Sequence, residues 1–132
     1  MTKRIFNGRP VAVIEREEYS DTQMFRIYET QRNKYYCDPQ GNLYVKDRGG
    51  LLRNLTITIN DSSRHRVPSI VLTYRGKKKR LQIPWLIAKA MFPQFNVVAE
   101  RVGHLDGDVN NNAIDNIYYD LTIHKVDETI YR

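Results

Sequence analysis

The sequence predicts an α+β chain, in which an N-terminal antiparallel β-sheet and one buried helix precede a C-terminal unit built on a His- and Asn-bearing loop. Three observations predict it. Short β-branched and aromatic runs recur through the first half, with turn signals at Asp38-Pro39-Gln40-Gly41-Asn42 and Gly49-Gly50. A hairpin pattern runs from Ile70 to Ile83 around Arg75-Gly76-Lys77. A single apolar block, residues 85–92, follows Pro84 and stops at Pro93.

In chain order, Val11-Ala12-Val13-Ile14 and Gln23-Met24-Phe25-Arg26-Ile27-Tyr28 read as strands. Tyr35-Tyr36 and Leu43-Tyr44-Val45 read as a pair of strands around Asp38-Pro39-Gln40-Gly41-Asn42, where Pro presets one turn angle and Gly or Asn accepts the left-handed position. Gly49-Gly50 punctuates before Leu55-Thr56-Ile57-Thr58-Ile59, whose alternation marks a half-buried strand. Asn60-Asp61-Ser62-Ser63 is a loop, and the 70–83 hairpin follows. Pro84 suits a first helical turn, where its missing N–H is not needed. The block after it is apolar nearly all round except for Lys89, which predicts a largely buried helix. Residues 121–132 are expected to form a last short helix.

With 132 residues, 41% hydrophobic and 27% charged, the chain fits one domain or two small modules sharing an interface. No apolar run reaches the roughly 18 residues of a bilayer span. The basic N-terminus lacks an apolar signal-peptide core. A lone Cys37 makes no internal disulfide and suits a reducing cytoplasm; it reads as a small half-buried residue, not a catalytic thiol. The net charge of +6 favours a polyanionic partner. Arg64, Arg66, Arg75, Lys77, Lys78, Lys79 and Arg80 face one acid, Asp61, between positions 61 and 80. From position 100 onward acids outnumber bases. That is the order expected of a phosphate-binding surface beside a cation site, although a solvated hairpin tip has the same composition. His65 lies among the arginines as a surface or phosphate-contacting residue. Tyr74 and Tyr35-Tyr36 serve either packing or base stacking. The acids Glu15, Glu17 and Glu18 suit a protein partner or a guard against nonspecific DNA binding.

Chemistry concentrates in Gly103-His104-Leu105-Asp106-Gly107-Asp108-Val109-Asn110-Asn111-Asn112-Ala113-Ile114-Asp115-Asn116. His104 is a candidate base. Asp106-Gly107-Asp108 signals a tight turn, and its acids read as turn formers rather than ligands. Asn side chains hold irregular backbone in shape. Asn116, twelve residues beyond His104, is placed to orient the imidazole.

This stretch resembles the HNH motif of phage and group I intron homing endonucleases, where an Asn-His or Asp-His pair precedes x-Asp-Gly-Asn, Asn-Asn and Asn-Leu. Tyr74 to Arg80 and Trp85 to Pro93 resemble the basic strand and helix ahead of that motif. The resemblance spans about residues 35 to 127 and implies a C-terminal ββα-metal, HNH-like unit that nicks DNA with a single divalent cation such as Mg²⁺. It implies His104 as general base and Asn116 as support for the loop and the histidine. Gly103 and Lys125 stand where the family places metal ligands; glycine offers no donor and lysine repels a cation. His124 and Asp127 are the substitutes a shifted final helix would offer. Pro84-Trp85 replaces the family's His-Arg.

The expected organisation is a β-rich extension of unassigned role over 1–34, a basic sheet with its helix over 35–93, and the HNH-like unit over 94–132. The expected function is a phage-like, cytoplasmic DNA-binding protein, with Arg64, Arg66, Arg75, Lys77, Lys78, Lys79 and Arg80 on phosphates. Two forms stay open. One is a metal-dependent nicking enzyme using His104; the other is an inactive module that binds DNA or inhibits a host enzyme of nucleic-acid metabolism. The second form, and an unrelated adaptor, need no cofactor.

Overall fold

The computed structural model describes residues 1–55 and 67–122. Strands β1 (Thr2–Phe6) and β2 (Arg9–Val13) form a hairpin through Asn7 and Gly8, both left-handed with φ of 50° and 76°. An Asn-Gly pair is the residue choice a two-residue turn of this kind demands. A 3-10 turn, Arg16–Glu18, follows. The Glu18 carboxylate accepts from the Glu15 N–H at 2.6 Å and the Thr2 hydroxyl at 3.4 Å. Part of the acidic cluster therefore closes its own turn.

Next come β3 (Phe25–Glu29), β4 (Lys34–Cys37), β5 (Leu43–Lys46) and β6 (Leu52–Leu55), an antiparallel meander in sequence order. The β4–β5 connection is the expected turn: Gly41 takes φ 87°, and its N–H donates to the Asp38 carbonyl at 3.0 Å. Pairing of the last strand begins at Leu52, earlier than the Leu55 start read from the sequence, and Thr56–Ile59 lie outside the described residues.

β7 (Ser69–Tyr74) and β8 (Lys77–Gln82) form a separate two-stranded ribbon, turning at Arg75 and Gly76 with φ of 51° and 79°. β8 runs directly into α1 (Ile83–Met91), with proline in its first turn. After the 3-10 turn Ala99–Arg101, β9 (Val102–His104) and β10 (Ile117–Asp120) pair antiparallel across the loop between them. β10 pairs with β2, giving a four-stranded sheet in the order β1-β2-β10-β9. This pairing cuts across the three-part division of the sequence: residues 1–13 share a sheet with 102–120.

α1 is the core element. Ile83, Pro84, Leu86, Ile87 and Ala88 are buried on it, and it packs against β3, β8, β9 and β10. Phe92, fully buried, caps the helix by donating its N–H to the Ala88 carbonyl at 2.8 Å. Its ring stacks on Tyr119 of β10 at 6.4 Å. Tyr119 also stacks on Phe95 at 5.7 Å, and its hydroxyl accepts from the Val98 N–H at 3.2 Å. Cys37 is fully buried, deeper than the half-buried placement expected, and burial pushes its thiol up to about 12. It is a packing residue.

Phe92→Ala should leave a cavity between α1 and β10 and lower unfolding stability by about 3–5 kcal/mol, read as a fall in the urea midpoint with the slope unchanged.

Candidate functional site

The sequence-derived site falls into two parts, the loop between β9 and β10 and the β7–β8 ribbon. His104 ends β9 opposite Ile117 of β10, so the alternation of the strand puts it on the face shared with the buried Ile117. Gly103 faces the other way, opposite Tyr118.

The loop is organised around Asp106. Its carboxylate accepts from the Asp108 N–H at 2.8 Å, the Asn111 amide at 2.8 Å and the Asn116 amide at 2.9 Å. These donors, Asn111 first, then Asp108 and Asn116, favour the charged form and hold the carboxyl down at about 2. Asp108 likewise accepts from the Asn110 N–H at 2.9 Å. Both acids thus shape the turn.

Asn116 is nearly buried, so its polar atoms need partners. Its amide donates to Asp106 and to the Asn111 carbonyl, both at 2.9 Å, and its oxygen accepts from the Asp106 N–H at 3.2 Å. Both amide hydrogens are committed to the loop. The imidazole is held instead by Asn112, whose Oδ1 lies 2.8 Å from His104 Nε2. The sequence expectation that Asn116 orients the ring is corrected accordingly: Asn116 staples the loop, and Asn112, also buried, meets the histidine. Asn112 stood in the same Asn run, but sequence spacing alone does not separate the two.

The β4–β5 turn braces this arrangement. The Ile114 N–H donates to the Pro39 carbonyl at 3.0 Å. Gly41 lies so close to the Asn112 carbonyl that any Cβ there would collide with it. A small cleft of about 150 Å³ joins Gly41, Asn110 and Asn112 to Pro68 and Ile83, the residues at the root of the ribbon. Ribbon and loop therefore meet at one place.

Position 103 does not fit a metal ligand. A Cβ added to Gly103 would run into the ring and hydroxyl of Tyr118, which packs against Phe6 of β1 at 5.2 Å between centroids. Glycine under a cross-strand aromatic ring is a packing device. Among the described residues, no three His, Cys, Asp or Glu side chains are grouped to hold a metal. His124, Lys125 and Asp127 lie outside the described residues, as do Arg64, His65 and Arg66.

The ribbon carries Arg75, Lys77, Lys78, Lys79 and Arg80, all exposed. Register sets Lys78 and Arg80 against Thr73 and Val71 on one face, and Lys77 and Lys79 against Tyr74 and Leu72 on the other. Cations therefore project from both faces of the tip. Lys79 Nζ and the Arg75 guanidinium lie over the Tyr74 ring at 5.5 and 5.3 Å, so Tyr74 serves the ribbon's own cations. Arg80 donates to the Ser69 hydroxyl at 3.2 Å. Among the described residues, no ion pair engages these five.

No protein-family model matches the chain, and neither does any curated protein or solved structure.

Because the folded Asp106 carboxyl sits at about 2, below its ordinary 3.8, its contribution to stability is complete above the ordinary value and is lost as pH falls through about 2. Thermal midpoints should drop for the wild type between about pH 4 and pH 2. Asp106→Asn, which carries no titrating group, should start lower and fall less steeply.

Proposed function

We propose that this chain is a DNA-binding protein of the HNH homing-endonuclease type, whose β7–β8 ribbon enters a groove of the duplex and grips phosphates. The ββα-metal unit belongs to this proposal; the last helix expected over 121–132 lies, from residue 123 on, outside the described residues. The observation that carries it is the placement of cations on both faces of one slender two-stranded element. A major groove about 12 Å wide admits such a ribbon and presents a phosphate wall on each side. The cleft at the ribbon's root, shared by Pro68 and Ile83 with Asn110 and Asn112 of the His104 loop, makes the two elements neighbours.

Affinity for a duplex should fall with log salt at a slope of about −0.9 per phosphate contact. The pair Lys78→Glu and Arg80→Glu should weaken binding to every sequence and flatten that slope by about 1 for each lost contact. An unchanged slope would remove the ribbon from the interface. A stable, salt-insensitive complex with a host protein, formed without nucleic acid, would move the reading to the inhibitor class.

A second reading, DNA nicking, is favoured by the histidine geometry. Asn112 Oδ1 faces His104 Nε2 at 2.8 Å and can accept a hydrogen bond from an N–H there. In the tautomer with the proton on Nε2, Nδ1 is the nitrogen that would take a proton from an attacking water. A divalent ion would polarise the phosphate in this family, and Gly103 gives it no donor. Supercoiled plasmid incubated with Mg²⁺ or Mn²⁺ tests this reading: nicking should vanish in His104→Ala. Nicking that persists there would remove His104 as the base, and none in either metal would leave the binding reading alone.

A further inference from the structure

We infer that a trough straddling the β3–β4 turn binds an unpaired nucleic-acid strand, separately from the duplex-gripping faces of the ribbon. This rests on the nucleic-acid reading above and deepens it. On one side of the turn a cleft of about 570 Å³ lies between the ribbon tip and residues 29–33. Tyr28 and Tyr35 line it, with Arg32 on one wall and Arg75 on the other. On the other side of the turn a second cleft, about 300 Å³, is lined by Arg32, Lys34, Tyr36, Lys46 and Arg48. Arg32 borders both, so the two form one path over the turn.

The site is built, not incidental. Tyr28 is fixed by its hydroxyl, which donates to the Thr73 carbonyl at 2.5 Å and ties the meander to the ribbon. Tyr28 and Tyr35 lie 6.1 Å apart, half-buried, with rings tilted by 55°. The turn is locked by Thr30, whose N–H donates to the Asn33 carbonyl at 2.8 Å and whose hydroxyl accepts from the Asn33 N–H at 3.1 Å. Arg75 holds a left-handed backbone, φ 51°, which an arginine adopts at a cost. Lys34 and Lys46 stand directly opposite each other on neighbouring strands, a like-charge pairing that destabilises a sheet. A bound anion relieves it. Two acids border the trough. Glu29 faces Lys34 across the strands and has Arg26 at 3.7 Å, and Asp47 accepts the Leu51 N–H at 3.3 Å. Cations still outnumber them.

Interleaved tyrosines and cations along a narrow path are the chemistry of a single strand, with bases on aromatic faces and phosphates on the cations. Clefts of a few hundred cubic ångströms take one or two nucleotides each; a duplex does not enter them. An unpaired strand leaving the ribbon-bound duplex would meet Arg75 first.

The test uses the full chain with fluorescein-labelled oligothymidylate of about ten nucleotides and, separately, a labelled duplex. The exposed pair Arg32→Glu and Lys46→Glu should weaken the single strand about tenfold and the duplex less than about threefold. Lys78→Glu with Arg80→Glu changes net charge equally and should show the opposite preference. Tyr35→Leu, checked for folding by circular dichroism, should weaken the single strand alone. If the trough pair leaves oligothymidylate binding within about twofold, or weakens both probes equally, the inference is overturned. Displacement of the oligonucleotide by an acidic peptide at equal concentration would overturn it too. If only the duplex results fail, the ribbon reading falls and the trough stands; if neither probe binds, both fall.

Discussion

The packing of α1 is the constraint on which the rest of the molecule depends. Two small four-stranded sheets and a two-stranded ribbon bury little on their own. α1 has only nine residues, too few to be stable in isolation, so it exists through its contacts. It touches β3 of the meander, β9 and β10 of the mixed-order sheet, and β8, from which it directly continues. The ribbon's direction is fixed at that junction. Leu81 and Ile83 are buried on either side of the strand-to-helix step, and the Ile83 N–H donates to the Pro68 carbonyl at 2.9 Å. The cations from Arg75 to Arg80 are thereby held out in solvent.

The histidine loop is held in shape by polar groups. Asp106, Asn111 and Asn116 satisfy one another and the backbone, and Asn112 is trapped between the imidazole and the Gly41 turn. Such a network holds its shape only while complete, because each buried amide left without a partner costs more than an ordinary hydrogen bond gains. A run of asparagines that looks like low information in sequence is thus a set of distinct tasks.

Much of the fold was legible because its signals are local. The Asp38–Asn42 turn, the hairpin around Arg75-Gly76 and the helix opened by Pro84 each follow from residues with fixed backbone preferences. The first hairpin carried an equally strong signal in Asn7-Gly8, but Lys3, Arg4 and Ile5 lack a clean alternation, and the segment read as a basic start. Nothing local announces that β2 pairs with β10, since the partners lie more than a hundred residues apart. The division of labour between Asn112 and Asn116 is illegible for the same reason. It is decided by the β4–β5 turn, which approaches from a different sheet.

Position 103 explains how the histidine's setting and the metal chemistry of the resemblance come apart. The bonds that shape the loop and hold His104 come from Asp106, Asn111, Asn112 and Asn116, none of which relies on a side chain at 103. The imidazole's setting is independent of any side chain at that position. The space such a side chain would use is filled by Tyr118, and Tyr118 is packed by Phe6 from the first strand. That strand belongs to the part of the chain outside the resemblance. The N-terminal hairpin, joined to β10 through β2, is therefore the element that closes this face of the sheet. A side chain could be placed at 103 only with Tyr118 swung away from Phe6, so glycine at this position and the docking of the N-terminal hairpin are a single structural fact.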